Sequence, residues 1–140
     1  MIVIGKAYLK YIRLSPKKAK LVADLIRWKT VYEAKHILKF TRKRAAYWFM
    51  KALKSAIASY NNKAANNAVD ESDLIVFTKV DQGPSWKILK PAVKPMRFGG
   101  YSTFKIRTCH IKVEVVASNE VEEYKNYLNK PYSLKKEVIK

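Results

Sequence analysis

The chain has 140 residues, 49% of them hydrophobic, and its 29 lysines and arginines against 11 acids leave a net charge of +18. The size suits one domain with apolar side chains enough for a core, and so large a charge imbalance implies a polyanionic partner. No stretch approaches the ~20 apolar residues of a membrane span, the lone Cys109 excludes an intramolecular disulfide and fits a reducing compartment, and the apolar start Met1-Ile2-Val3-Ile4 is too short for a signal peptide.

Taken in order, residues 6–14 read as a strand without clean alternation. Ser15-Pro16 supplies an N-cap followed by proline at the first helical position. Ala19, Val22, Ala23 and Ile26 then repeat at helical spacing, with Leu21 and Leu25 widening the apolar face and Lys20 on the other side. Lys17 and Lys18 occupy the first turn, where the helix dipole is already positive. The arrangement becomes favourable when a phosphate docks at that helix N-terminus.

Thr30-Val31-Tyr32-Glu33 is a capping box opening a second helix, which ends near Phe40. Thr41 is positioned to cap a third, whose wide stripe from Ala45 through Trp48, Phe49, Leu53 and Ile57 to Tyr60 is core. The first turn of that helix, Arg42-Lys43-Arg44, is again cationic. Residues 61–73 read as a polar loop.

Residues 74–80 are rich in β-formers, and Cys109, Ile111, Val113 and Val115 alternate with Thr108, His110, Lys112 and Glu114, the pattern of a half-buried strand. Between them, residues 82–113 hold no acid but carry Lys87, Lys90, Lys94, Arg97, Lys105, Arg107 and Lys112. Two strands flanking such a segment form a long antiparallel hairpin with its tip at Pro95 to Gly100. Arms of about 10 residues at roughly 3.3 Å each would reach ~30 Å from the body. An arm with so few apolar residues and so much like charge makes sense against nucleic acid.

The fold expected is thus α+β, a small antiparallel sheet packed with three helices, plus the protruding basic hairpin. Residues 1–118 would form the single domain. Residues 119–140, where Glu120, Glu122 and Glu123 give way to lysines, would be a C-terminal extension with a short helix to about Leu128 and few buried contacts.

Catalysis is not expected. Adjacent Cys109 and His110 point to opposite faces of a strand, one cysteine and two histidines make no zinc site, and Gly99-Gly100 lacks the strand-to-helix setting of a phosphate loop. Neither cofactor nor metal is implied.

The run Arg13-Leu14-Ser15-Pro16-Lys17-Lys18-Ala19-Lys20-Leu21-Val22-Ala23-Asp24-Leu25-Ile26-Arg27 resembles large-subunit ribosomal protein twenty-two of bacterial and organellar type. The likeness continues through Glu33-Ala34, Ile37-Leu38, Leu53-Lys54-Ser55-Ala56-Ile57-Ala58, Gly83-Pro84 and Arg107-Thr108-Cys109-His110-Ile111, in family order over roughly residues 7–117. The resemblance implies a monomer within the large ribosomal subunit, bound to large-subunit rRNA beside neighbouring ribosomal proteins and aiding assembly. Its hairpin tip would line the peptide exit tunnel and meet the nascent polypeptide.

Carried over, Arg13, Ser15, Lys17, Lys18, Lys20, Arg42, Lys43, Arg44, Lys87, Lys90, Lys94, Arg97, Lys105, Arg107 and His110 would be RNA contacts. Pro95, Met96, Arg97, Phe98, Gly99 and Gly100 would face the tunnel. The tip is a few residues longer than the family's usual one. Twenty-three lysines against six arginines, and cysteine at 109, resemble plastid members, so a plastid stroma is expected ahead of a bacterial cytoplasm. The rival reading from another class is an architectural DNA-bending protein that inserts Pro95, Met96 or Phe98 at a base step.

Overall fold

The computed structural model describes residues 2–64, 70–91 and 101–129, with backbone alone at 89–91 and 101–102. The first strand, β1 (Gly5–Ile12), and the two hairpin strands, β2 (Leu74–Pro91) and β3 (Tyr101–Ala117), form one antiparallel sheet in the order β1-β3-β2. β3 is therefore the middle strand, and its inward residues Cys109, Ile111, Val113 and Val115 are fully buried.

Three helices cover that face: α1 (Pro16–Ile26), α2 (Val31–Phe40) and α3 (Arg44–Lys63). α1 buries Ala19, Val22, Ala23 and Ile26, and α3 buries Phe49, Leu53 and Tyr60 among a row of alanines. The small residues let α3 lie close on β1. A Cβ at Gly5 would collide with the Ala56 carbonyl and the Tyr60 side chain, so only glycine permits that approach. α1 is tied down at its end: Trp28, at φ +62°, donates its N–H to the Val76 carbonyl at 2.8 Å, Val76 donates back to Lys29 at 2.9 Å, and the buried Thr78 hydroxyl donates to Ala23 at 3.1 Å.

Several boundaries differ from the sequence reading. β1 stops at Ile12 because Tyr11 adopts φ +56° and the register with β3 slips between Leu9 and Ile12. Thr30 accepts from the Glu33 N–H at 3.2 Å, so half of the capping box is formed. Thr41 does not cap α3; its hydroxyl donates back to the Ile37 carbonyl at 2.6 Å and closes α2, while α3 begins two residues beyond Arg42, with Lys43 at the N-cap position. At its far end α3 continues through Asn61, Asn62 and Lys63, consuming the start of the expected loop.

The larger correction concerns the second face of the sheet. Thr108 and Glu114, expected to point outward, are buried. Thr108 is closed in by Gly83 and Pro84, whereas the cover over Glu114 comes from residues 2–4 and 121–129. After a 3-10 turn (Ser118–Glu120), helix α4 (Val121–Asn129) packs Tyr124 and Tyr127 against Ile2, Ile4 and Val116, making a second core cluster.

Glu114 is buried there. Its Oε2 accepts from the Tyr124 hydroxyl at 2.6 Å, and its Oε1 lies 2.9 Å from Lys112 and 3.9 Å from Lys6. Trp28, Phe77 and Tyr124 form a ring cluster with centroids 5.3 and 5.7 Å apart along the chain of contacts. Residues 121–129 are therefore packed against the body, with more buried contact than the composition suggested; residues 130–140 lie outside the described residues.

Two outcomes follow. Ending the chain after Ala117 should cost about 3 kcal/mol or more, on the scale of deleting a buried aromatic, and a urea midpoint equal to that of the full chain would contradict it. Burial first, and then the Glu114 carboxylate, push the Tyr124 phenol well above the ordinary tyrosine range. The folded chain thus holds that proton beyond the pH of ~10 at which an unfolded tyrosine loses it. The contribution of the neutral phenol is intact below pH ~10 and lost above it. Tyr124→Phe should flatten the alkaline limb of the stability–pH curve, and at neutral pH cost about 1–3 kcal/mol by leaving Glu114 short of a donor.

Candidate nucleic-acid interface

The arm begins at a break in the β2–β3 register. Gln82 opposes Cys109 and Ser85 opposes Arg107, so Gly83 and Pro84 together face Thr108. Such a bulge bends the strand and increases its twist, redirecting everything beyond it. It is tightly built. The Thr108 hydroxyl donates to the Pro84 carbonyl, and a Cβ at Gly83 would stand 2.5 Å from Thr108 Oγ1 and 3.3 Å from the His110 ring. His110 Nδ1 accepts from the Tyr11 N–H at 3.0 Å, and its ring meets Tyr11 edge-on at 4.9 Å. One histidine thus braces the kink of β1 and the bulge of β2.

Beyond the bulge, pairing runs from Ser85↔Arg107 to Pro91↔Tyr101, roughly 20 Å of ribbon at ~3.3 Å per residue. Trp86, Ile88, Phe104 and Ile106 share one face by register, and Lys87, Lys105 and Arg107 the other. Lys87 sits directly opposite Lys105, and like charges in that relation are destabilising. Among the described residues, none of these three cations has an ion-pair partner.

At the foot of the arm lies a groove of about 840 Å³ between α1, the α2–α3 connection and β3. It gathers Arg13, Ser15, Lys18, Arg42, Lys43, Arg44, Lys105 and Arg107 from three separate stretches of the chain, with no acid among its described lining residues. Each is placed by local chemistry. The turn after Ile12 presents exposed Arg13, Pro16 starts the helix that carries Lys18, and the Lys43 N–H bond to Thr41 at 2.8 Å shapes the basic connection. Neither Ser15 nor Lys43 makes a side-chain cap, and neither α1 nor α3 has an acid in its first turn. Two positive helix ends therefore border the groove without internal compensation. By contrast α2 is capped by Thr30 and carries Glu33 in its first turn.

Lys17 and Lys20 are exposed on α1 but do not line the groove, and Lys87 is exposed on the arm. His110 is half-buried in the brace just described. Only the backbone of Lys90 is described. Lys94, Arg97 and the tip residues Pro95, Met96, Phe98, Gly99 and Gly100 lie outside the described residues.

Leu21 and Leu25, expected in the core face of α1, are instead 70% and 52% exposed and line the groove with Phe104 and Ile106. Their signal in the sequence was a four-residue spacing offset from the Ala19, Val22, Ala23 and Ile26 set. Cys109 is buried, and burial raises its thiol pKa, the reverse of what a nucleophile needs. No helix among the described residues is long and apolar enough to cross a membrane.

A cationic α+β body with a two-stranded basic arm, and a groove with no acid among its described lining residues, has the charge distribution of a nucleic-acid-binding protein. Residues 7–116 match the family model described as ribosomal protein L22p/L17e, and the chain belongs to that family. It is similar to large ribosomal subunit protein uL22 of Carboxydothermus hydrogenoformans, at 41% identity over 83% of this chain and 97% of the relative. The protein of the same name from Fusobacterium nucleatum is 46% identical over 79% of this chain and 95% of the relative. That of Thermus thermophilus is 40% identical over 78% and 91%. The family is one of structural, non-enzymatic proteins, and its ribosomal description favours the ribosomal reading over the DNA-bending one.

The bulge offers a direct check on how the arm is aimed. Gly83→Ala should cost about 1–3 kcal/mol through overpacking against Thr108 and raise amide exchange in 85–88 and 103–107 more than in α3. Unchanged stability and exchange would mean the bulge does not hold the arm.

Proposed function

We propose that this structural constituent of the large ribosomal subunit is anchored to large-subunit rRNA by its groove and arm, as a monomer beside neighbouring ribosomal proteins. The observation that carries the reading is the convergence of seven cations, Arg13, Lys18, Arg42, Lys43, Arg44, Lys105 and Arg107, on one groove without an opposing acid. Their phosphate contacts fix position and orientation and carry no base information. Ser15, Lys17, Lys20, Lys87 and His110 extend the contact surface around the groove, and Lys90, Lys94 and Arg97 continue it toward the tip. The like-charged Lys87–Lys105 pair is relieved when phosphates lie beside it.

The proposal extends to the tip. Pro95, Met96, Arg97, Phe98, Gly99 and Gly100 would line the peptide exit tunnel and meet the nascent polypeptide, while the body aids subunit assembly. The lysine-rich composition and Cys109 favour a plastid stroma over a bacterial cytoplasm.

If 6–10 phosphates are neutralised, affinity of the free protein for rRNA fragments should fall ~10³–10⁵-fold between 50 and 200 mM salt, on the duplex-DNA scale. Replacing Lys18, Arg42 and Lys105 together with Glu should cut incorporation into large subunits. Deleting residues 94–98 should leave incorporation nearly intact but change nascent-chain stalling. A flat salt response, or a tip deletion that abolishes incorporation while leaving stalling unaltered, would overturn the reading.

A further inference from the structure

We propose that the groove at the foot of the arm receives one unpaired nucleotide of the bound RNA, its base against the apolar floor and its flanking phosphates on the cationic rim. The inference rests on the RNA-anchoring reading and adds what that reading leaves unexplained. A surface that only tracks a duplex backbone needs cations and no floor. Here the groove is also lined by Leu21, Leu25, Phe104 and Ile106, and Leu21 and Leu25 on α1 are 70% and 52% exposed. Leaving that much apolar surface in water on a body that otherwise buries its α1 residues well is unfavourable until something apolar covers it.

Size and charge choose the occupant. A groove of about 840 Å³ lies within the ~300–1,000 Å³ of small-molecule sites and has room for a single nucleotide. An apolar peptide side chain would fit the floor, yet it would leave seven cations unopposed. An extruded nucleotide supplies an apolar ring face and adjacent anionic groups in one unit, matching floor and rim together. Among the described lining residues, the neutral polar side chains are only the hydroxyls of Ser15 and Thr41, too few to read a base edge fully. The site accordingly favours an unpaired base by packing, with weak preference among bases, as aromatic and apolar platforms for single-stranded RNA do.

The test uses the full chain and two RNA hairpins that differ by one bulged 2-aminopurine. The bulged hairpin should bind ~10-fold more tightly than the fully paired one, and its fluorescence should change on binding. Leu21→Ser with Leu25→Ser, both at exposed positions, should bring the affinity ratio to about one, whereas Leu21→Met with Leu25→Met should keep it. Arg42→Glu should weaken both hairpins. A ratio near one in the natural chain, or a ratio unmoved by the serine pair when circular dichroism shows the fold intact, overturns the nucleotide site but leaves RNA anchoring standing. Binding to neither hairpin overturns both. An acidic peptide with one large apolar residue that displaces the bulged hairpin more strongly than unlabelled RNA would assign the groove to a protein partner and overturn it as well.

Discussion

Because β3 is the middle strand and runs for seventeen residues, one continuous pleat has to serve two solvents. From Cys109 to Val115 its inward positions meet α1 and α3 and are dry. From Arg107 back toward the tip the same parity carries Arg107 and Lys105, which line the groove instead of a core. Hydrogen bonding to β2 continues across the change, so the body holds the arm through backbone bonds rather than through a core of its own. The bulge at Gly83-Pro84 lies at that boundary. There the Thr108 hydroxyl and the His110 ring fill the space a side chain at 83 would need.

The charge pattern follows the same division. On the body several charges are matched: Glu114 sits among Lys112, Lys6 and the Tyr124 hydroxyl, Asp24 lies 2.9 Å from Arg27, and Lys35 pairs with Glu71. Around the groove and on the arm, cations stand beside cations and two helix N-termini are left uncapped. That local disfavour is tolerable because exposed charges are screened in water. It turns favourable when a polyanion replaces the water.

Much of this was legible in one dimension. Helical spacing in α1 and α3, the capping box at Thr30 and the alternation of β3 are local signals, set by backbone periodicity and by the few residue types that satisfy helix ends. The acid-free stretch from 82 to 113 is a matter of composition and needed no fold to be seen. The motifs from Arg13 to Arg27 and from Arg107 to Ile111 carried the family resemblance directly, and with it the class of partner.

What the chain order hid were the meetings of distant segments. Arg13, Lys18, Arg42 and Lys105 are scattered in sequence and converge only because α1 and the α2–α3 connection pack beside the base of β3. Leu21 and Leu25 satisfy helical spacing for a core face, yet the sheet narrows to a two-stranded ribbon beyond Ile12 and leaves nothing for them to pack against. Glu114 reads as a solvent-facing residue in a period-two strand, and nothing near it in sequence shows that Tyr124 and the N-terminal isoleucines close over it. Periodicity determines which face of an element is apolar; only the tertiary packing decides which faces find a cover, because that depends on where the sheet ends and which remote segment reaches it.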